Sequence, residues 1–529
     1  MHHYSGPGRS VAFAAGAMCA TSHPLAAMTA LDMLKQGGNA VDAAVAGAAV
    51  LGFCEPMMCG LGGDVFAMVR DPETGVISGL NGSGRAPMGL DAAMLREQGL
   101  DAIPLDSIHS VTAPGAVDAF DKLVRAYGRL DLAAVLQPAI HYAENGVPVC
   151  HRSALDWKEF GPRLQGAGRK HYLRQGEPYA AGSIFASPAQ AEALRLVARH
   201  GRDAFYAGEI MQDMLDTLRA AGGCHTADDF ANTAATEVEP IRINYHGHDL
   251  IELPPNGQGA TALLLAKILK RFDISRLDPN GAERVHLEAE ATRLAYGARD
   301  RFIGDAAGAE DRVRHMLCDE TADTLADLID PRRACRDVDQ RAEALHRDTV
   351  YICVVDEDRL AVSLIYSTFW PFGSGLASAR FGISFQNRGA GFSLQPGHVN
   401  ELKGGRRPLH TLIPGFVEKA GSYAMPFGVM GGPFQATGHA HFLSNLVDFG
   451  MDIQEAIDGP RSFLDPATGK LALERGYSDD VAVRLTEMGH EVTRAPVGMG
   501  GAQAIRIDLK TKILEGGSDP RKDGLALGF

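Results

Sequence analysis

The sequence predicts a mixed α+β protein with a large buried core. Its 529 residues are 45% hydrophobic and 22% charged, a balance typical of globular chains. Residues from about 130 to 329 have mainly helical patterning, whereas residues from 349 onwards have the apolar runs and turns of strands. A prior of about 150 residues per domain would give three or four units, but large layered folds often form one unit.

The charge and the hydrophobic pattern exclude two classes of partner. The formal net charge is −14, and an acidic chain repels phosphate backbones, so we expect no nucleic-acid partner. No apolar run reaches about 18 residues, so we expect no membrane-spanning segment. Residues Met1–Ala20 contain a single arginine and a short apolar stretch, and we interpret them as mature protein rather than a signal peptide.

The cysteines argue against a metal knuckle or a disulfide framework. Of the eight, only Cys54 and Cys59 lie close together, and no CxxC pair occurs. This usage favours a reducing compartment, so we predict a cytoplasmic protein. We predict neither a metal nor a cofactor.

The first part of the chain is predicted to be helical. Pro24–Gln36 carries an apolar stripe and is followed by Gly37-Gly38, which supplies a C-terminal stop. Asn39–Phe53 is rich in alanine and valine and predicts a second, closely packed helix. Further helices are predicted at Ala189–Ala198, Glu209–Ala221 and Glu283–Asp300.

A charged linker and a buried hairpin follow. Asp330–Arg347 is charged and poor in large apolar residues, so we expect an exposed linker. Thr349–Val355 and Leu360–Tyr366 are β-branched apolar runs separated by a short polar turn, which predicts an antiparallel hairpin. If the turn is centred near Asp358, opposed residues have numbers that sum to about 716, so Thr349 lies opposite Ser367.

This hairpin permits nucleophilic chemistry if the backbone is cut before Thr349. A threonine at a new N-terminus carries its own base, because its α-amino group has a reference pKa of about 7.7–8.0. Ser367 could hold the threonine hydroxyl, and Gly431-Gly432 offers two unobstructed backbone N–H groups for an oxyanion. Each feature alone is also ordinary in a structural strand pair or turn.

Nine segments, in order along almost the whole chain, resemble the γ-glutamyltranspeptidase family. They are GGNAVDAAVA (Gly37–Ala46), GLGGDVF (Gly60–Phe66), PPNGQG (Pro254–Gly259), EATRLAYGARDRFIGD (Glu290–Asp305), DTVYICVVDEDRLAVSLIYSTFWPFGSG (Asp348–Gly375), RRPLHTLIP (Arg406–Pro414), GVMGGP (Gly428–Pro433), EAIDGPR (Glu455–Arg461) and GGSDPRKDGLALGF (Gly516–Phe529).

The resemblance implies a four-layer αββα sandwich of the N-terminal-nucleophile hydrolase type. It also implies autocleavage between Asp348 and Thr349, giving a large subunit of residues 1–348 and a small catalytic subunit of residues 349–529. Thr349 would be the nucleophile, Ser367 would replace the family's second threonine, and Gly431 and Gly432 would form the oxyanion hole. The oligomeric state stays open, with a dimer of heterodimers as one arrangement.

The residues that recognise a γ-glutamyl group in this family are largely replaced. The carboxylate-binding arginine falls at Ser83, with Arg85 two positions later, and the asparagine after the second strand is Phe369. The glutamine and aspartate that hold the α-amino group fall at Arg388, beside Asn387, and at Gly391. The paired serines fall at His410 and Thr411.

These replacements change the charge that a substrate would meet. An aspartate that would bind an ammonium is lost, and Arg388 adds a partner for a carboxylate. We therefore predict a small amide with a carboxylate close to its carbonyl and no α-amino group, with Arg85, Arg388, Asn387, His410, Thr411 and Phe369 as candidate substrate-binding residues. The QNRGAGF and PPNGQG segments resemble the branch of the family that holds oxamate amidohydrolase.

Several alternatives remain open from the sequence. One is a γ-glutamyl hydrolase or transpeptidase that recognises the glutamyl group through other residues, and another is a cephalosporin-acylase-like member of the family. A third is a binding protein that never cleaves itself. His439 and His441 leave a metallohydrolase as a weaker alternative. Nucleotide binding through GLGGD is weaker still, because no strand–GxGxxG–helix unit is present.

Overall fold

The computed structural model describes residues 8–335 and 349–529. The helices in these ranges alternate with short loops and cover the outside of two sheets. The α-helices are α1 Pro24–Lys35, α2 Ala40–Cys54, α3 Ala92–Glu97, α4 Ala116–Tyr127, α5 Leu132–Asn145, α6 His151–Phe160, α7 Gly166–Tyr172, α8 Pro188–His200, α9 Arg202–Tyr206, α10 Glu209–Ala220, α11 Ala227–Ala231, α12 Gly259–Leu269, α13 Ala282–Phe302, α14 Ala309–Met316, α15 Asp319–Ala326, α16 Phe434–Val447, α17 Ile453–Asp458 and α18 Asp479–Glu487.

The strands come from both ends of the chain. They are β1 Ala12–Ala14, β2 Met18–Thr21, β3 Asp64–Arg70, β4 Ile77–Gly82, β5 Val147–Pro148, β6 Ile184–Phe185, β7 Thr236–Val238, β8 Ile241–Tyr245, β9 His248–Glu252, β10 Val350–Val355, β11 Ala361–Ser367, β12 Gly415–Lys419, β13 Tyr423–Met430, β14 Ser462–Leu464, β15 Lys470–Leu473, β16 Glu491–Arg494, β17 Gly501–Asp508, β18 Leu514–Ser518 and β19 Leu525–Gly528.

Two seven-stranded sheets organise the fold. One has the strand order β1-β18-β17-β13-β12-β9-β8, and the other has the order β19-β2-β10-β11-β3-β4-β7. Strands β10 and β11 of the second sheet contact β13 of the first, and a buried core that includes Phe66, Tyr351, Phe416 and Ile505 lies between them. Helix α2 contacts β10 and β11, whereas α12 and α16 contact the first sheet.

Helix α2 packs closely against β10, the strand that follows Thr349. Asn39 caps the helix by accepting from the Val41 and Asp42 N–H groups, and the Asp42 carboxylate accepts from the Asn39 N–H in return. Every residue of α2 is buried, and a Cβ at Gly47 would lie 2.6 Å from Ile352 Cδ1. Small residues therefore let α2 lie directly on β10, the strand that Thr349 precedes.

The predicted helices are confirmed, and the segment from 130 to 329 is mainly helical, as predicted. Pro24–Gln36 and Asn39–Phe53 correspond to α1 and α2, and the three later predictions correspond to α8, α10 and α13. The same segment also contains a hairpin of β8 and β9, and β9 pairs with β12.

The linker prediction is tested only at its beginning. Asp330 and Arg332 are exposed, while the remainder of Asp330–Arg347 from residue 336, together with Asp348, lies outside the described residues. Among the described residues, no helix is both long enough and apolar enough to cross a bilayer.

Candidate active site

The hairpin forms in the predicted register. Val350 pairs with Tyr366 and Val355 pairs with Ala361, so the partner numbers keep the predicted sum. Continuing that register by one residue places Thr349 opposite Ser367, and both side chains are fully buried. The structure therefore brings the two predicted hydroxyl residues to the same end of β10 and β11.

Gln435 contacts the threonine hydroxyl, and the sequence did not single it out. Its Nε2 donates to Thr349 Oγ1 at 3.3 Å, and its Oε1 accepts from the Ile413 N–H at 3.1 Å. Because the backbone donor fixes which end of the amide is oxygen, the nitrogen faces the threonine. The only signal was its place three residues after Gly432, in the second position of α16.

Gly431 and Gly432 form the turn between β13 and α16. Their φ angles are +129° and +55°, in the region that favours glycine, and a Cβ at Gly431 would lie 3.2 Å from Gly500 Cα. Gln258 Nε2 donates to the Gly432 carbonyl at 3.1 Å and to the Thr411 carbonyl at 2.9 Å. The turn is thus held by its carbonyl side, next to the N-terminal end of α16.

Arg388 is a fully buried arginine with one hydrogen bond. It is 0% exposed, and its Nη1 donates to Thr411 Oγ1 at 2.8 Å. Its guanidinium lies 4.0 Å from the centroid of the Phe369 ring. Within the described ranges, its Nε and Nη2 atoms have no hydrogen-bond partner. Burial lowers the pKa of Arg388 to about 9, so it remains charged at neutral pH.

Phe369 connects Arg388 to the hairpin. Its backbone N–H donates to Ser367 Oγ at 2.8 Å, and its φ is +82°. A bulky residue in the left-handed region is strained and persists only where the surroundings require it. Here the strained turn puts an aromatic face against the guanidinium, so Arg388 lies beside the strand end that carries Ser367.

His410 and Asp64 form a neutral–anionic pair next to Arg388. His410 Nδ1 accepts from the Leu412 N–H at 3.3 Å, so its Nε2–H donates to Asp64 Oδ2 at 3.0 Å. Burial, followed by the charge of Arg388, lowers the pKa of His410 to about 3. His410 is therefore neutral near pH 7 and is a hydrogen-bonding residue rather than a cation.

Asp64 directs its described hydrogen bonds to donors other than Arg388, although its charge acts on the guanidinium and raises the pKa of Arg388 against the effect of burial. Its Oδ1 accepts from the N–H groups of Gly84 at 2.9 Å and Gly115 at 3.1 Å, and from Gln386 Nε2 at 2.8 Å. Together with His410, four donors surround this one carboxylate. Among the described residues, the Arg388 guanidinium therefore has no hydrogen bond to a carboxylate.

The sequence matches a known protein family over nearly its whole length. The family profile described as Gamma-glutamyltranspeptidase matches residues 26–529. The chain belongs to this family. It is accordingly an enzyme of a family that hydrolyses C–N bonds.

Three similar proteins span the full length. The glutathione hydrolase-like YwrD proenzyme of Bacillus subtilis is 35% identical over 97% of this chain and 98% of that protein. The oxamate amidohydrolase proenzyme of Klebsiella pneumoniae is 34% identical over 97% of this chain and 98% of that protein. The crystal structure of cephalosporin acylase from Bacillus halodurans is 36% identical, with a TM-score of 0.91, and covers 100% of this chain and 99% of that one.

Two residues predicted to bind substrate have described contacts within the protein. In this member of the γ-glutamyltranspeptidase family, Asn387 Nδ2 donates to the Leu105 carbonyl at 2.9 Å, and its Oδ1 accepts from the Trp370 N–H at 3.1 Å. Arg85 pairs with Asp305 at 3.3 Å, and its side chain is 40% exposed. Neither contact brings these side chains to the unpartnered N–H groups of Arg388.

The two histidines of the metallohydrolase alternative do not converge. His439 Nδ1 bonds Glu252 Oε1 at 2.6 Å, and His441 Nδ1 bonds Glu288 Oε2 at 3.0 Å. Among the described residues, neither belongs to a group of three side chains placed to share a cation. Their contacts fit buried hydrogen-bonding roles in the core around α16.

Proposed function

We propose that the chain is a precursor that cuts itself between Asp348 and Thr349 and then hydrolyses a small amide whose carboxylate adjoins the carbonyl, as in oxamate. The observation that carries the choice of substrate is Arg388, a fully buried cation with two unpartnered N–H groups. A planar guanidinium can bind a carboxylate through two parallel hydrogen bonds. An oxamate carboxylate bound there would place its amide carbonyl on the side of Ser367 and Thr349.

The reaction needs only groups of this chain, the amide and water. The Thr349 α-amine takes the hydroxyl proton as Oγ attacks the amide carbonyl, and Gln435 and Ser367 hold that oxygen in place. The backbone N–H groups of Gly431 and Gly432 stabilise the tetrahedral oxyanion. The C–N bond then breaks, the ammonium returns its proton to the leaving nitrogen, and ammonia departs. Water attacks the resulting ester by the same route and releases the acid.

The precursor proposal divides the chain into residues 1–348 and 349–529. The YwrD and oxamate amidohydrolase relatives are both named proenzymes, which supports this division. Strand β10 lies between β2 and β11 in one sheet, so cleavage at its start would leave the two products hydrogen-bonded to each other. Helices against the outer side of each of two facing sheets support the four-layer αββα arrangement.

One other substrate class is favoured by a specific observation. The full-length similarity to the cephalosporin acylase structure supports an acylase that removes a carboxylate-bearing acyl side chain, which Arg388 would also suit. A γ-glutamyl substrate is less well supported, although relatives named glutathione hydrolase are 29% and 30% identical. Its ammonium would meet Arg388 in a pocket where the Asp64 carboxylate is already surrounded by donors.

A processing experiment combined with a substrate panel tests the proposal. Purified protein should give two bands on a denaturing gel, with the smaller product beginning at Thr349 by mass spectrometry. Thr349→Ala should give one band and no turnover. The panel would contain oxamate, a γ-glutamyl anilide and a cephalosporin with a dicarboxylic acyl side chain. Turnover of the γ-glutamyl anilide alone would reject the substrate class, and activity in an uncut chain would reject the mechanism.

A further inference from the structure

A second cluster of potential ligands lies on α13, outside the candidate active site. His286, Glu290 and His490 are buried, and each offers one ligand atom such that these atoms lie within 4.8 Å of one another. His286 and Glu290 are four residues apart on α13, so they share one helix face. His490 lies between α18 and β16, where its backbone N–H donates to the Leu485 carbonyl at 3.1 Å.

The hydrogen bonds of His286 fix its tautomer. Its Nε2 lies 2.8 Å from the Asp330 carbonyl oxygen, which can only accept, so Nε2 carries the hydrogen. Its Nδ1 then presents a lone pair to His490 Nε2, 2.8 Å away. A histidine that donates one ring N–H to a backbone carbonyl while its other nitrogen faces a second ligand is arranged as protein metal ligands usually are.

The two oxygens of the Glu290 carboxylate have different hydrogen bonds. Oε2 accepts from Arg293 Nη2 at 2.7 Å and from Arg293 Nε at 3.3 Å. Oε1 has only a long contact of 3.4 Å with the Cys335 N–H, which also lies 3.4 Å from Oε2. Arg293 would thus orient the Glu290 carboxylate, which offers one of its oxygens to the cluster with the two histidines.

We propose that His286 Nδ1, His490 Nε2 and one oxygen of the Glu290 carboxylate bind one zinc-class divalent ion, with solvent as the fourth ligand. Two imidazole nitrogens and one carboxylate oxygen are a ligand set that suits Zn²⁺. Nitrogens bound at about 2.0–2.1 Å in a tetrahedron lie about 3.3 Å apart, so the two rings separate by about half an ångström on binding.

The proposed ion would have a structural role. In the described part of the chain, the hydrogen bonds of the three ligand side chains go to Asp330, Arg293 and Cys335 and between the two histidines, away from the candidate active site. His286 and Glu290 belong to residues 1–348, and His490 belongs to residues 349–529. The ion would therefore join the two products of cleavage, and this consequence alone rests on the proposed function.

Zinc titration tests the site directly. The whole protein, treated with EDTA and dialysed, would be titrated with Zn²⁺ by isothermal titration calorimetry, and its Tm would be measured with and without Zn²⁺. We expect one equivalent to bind and Tm to rise. The Thr349→Ala variant should bind equally well, because all three ligands are present in an uncut chain. Failure of processing therefore leaves the metal test intact.

Ligand variants and a control locate the binding. His490→Ala and, separately, Glu290→Gln should weaken zinc binding by about 100-fold or more, since loss of an outer-shell partner alone costs 10- to 100-fold. Glu290→Gln preserves shape and remains informative if His490→Ala does not fold. His200→Ala changes an exposed histidine on α8 and should bind zinc like the unaltered protein. Absence of saturable binding, or unchanged affinity in both ligand variants, would overturn the site.

Discussion

Two buried arginines of this chain have opposite surroundings. Arg461 is 3% exposed, and its guanidinium donates to Asp519 Oδ2 at 2.6 Å and to the Met499 carbonyl at 2.7 Å. Asp519 also pairs with Arg521, which pairs with Glu474. Arg388 is buried at least as deeply, yet its one hydrogen-bond acceptor is the neutral hydroxyl of Thr411.

The difference separates a structural cation from one available to a ligand. Burying a charge is costly unless an opposite charge and hydrogen bonds compensate for it, and Arg461 has both. The described contacts of Arg388 are an aromatic face and one hydroxyl, and the Asp64 charge acts on it without a hydrogen bond, so its burial is less fully compensated than that of Arg461. Such local instability persists where function requires it, so the environment of Arg388 supports the proposal that it binds substrate.

Breaking the compensated cluster should have the largest effect. Arg461→Met would leave Asp519 buried with only Arg521 as its ionic partner, and we expect a loss of about 3 kcal/mol or more in the free energy of unfolding. Urea unfolding of the variant and the unaltered protein measures it. An unchanged free energy of unfolding in Arg461→Met would contradict the proposed difference between Arg461 and Arg388.

Arg388→Met should show the reverse pattern. Removing an uncompensated buried charge should leave the free energy of unfolding unchanged or higher, whereas kcat/KM for oxamate should fall by about 100-fold, the value of a lost charge-assisted contact. Arg388→Lys is the matched control, because it keeps the charge but loses the paired geometry. A stability loss as large as that of Arg461→Met, with activity retained, would assign Arg388 a structural role.

The smallest effect is expected for His410→Gln, in the dependence of kcat/KM on pH. Because the pKa of His410 lies at about 3, the ring stays neutral from pH 5 to 8 and contributes no step there. In the proposed mechanism the base is the Thr349 α-amine, so kcat/KM should fall as pH drops below a pKa of about 7.7–8.0 and the amine gains a proton. His410→Gln should leave that step in place. Its disappearance in the variant would make His410 the base.

Much of the fold and part of the candidate site could be predicted because the signals were local. The β10–β11 register follows from two apolar runs and a short turn, and the helices α1 and α2 follow from apolar spacing and caps. The charge change at Arg388 was visible in the family pattern. The sequence could not show that Arg388 has no hydrogen bond to a carboxylate among the described residues. This depends on where Asp64 directs its hydrogen bonds in the folded protein.

The amide side chains near the site were beyond sequence reasoning for the same reason. Gln435 and Gln258 act through contacts with residues far along the chain, such as Thr349 and Thr411. A glutamine at the start of a helix is ordinary in composition and spacing. Its role exists only once two sheets and a strand end have come together, so no local pattern records it.

Gln258 has a consequence for which substrates fit. A single amide nitrogen holds the carbonyl of Thr411, whose hydroxyl accepts from Arg388, and the carbonyl of Gly432 in the glycine turn. Gln258 would therefore fix the distance between Arg388, the proposed carboxylate-binding residue, and the Gly431-Gly432 turn, the proposed oxyanion hole. Chain length between the acid and the amide, more than the bulk of the departing amine, would decide which compounds the enzyme accepts.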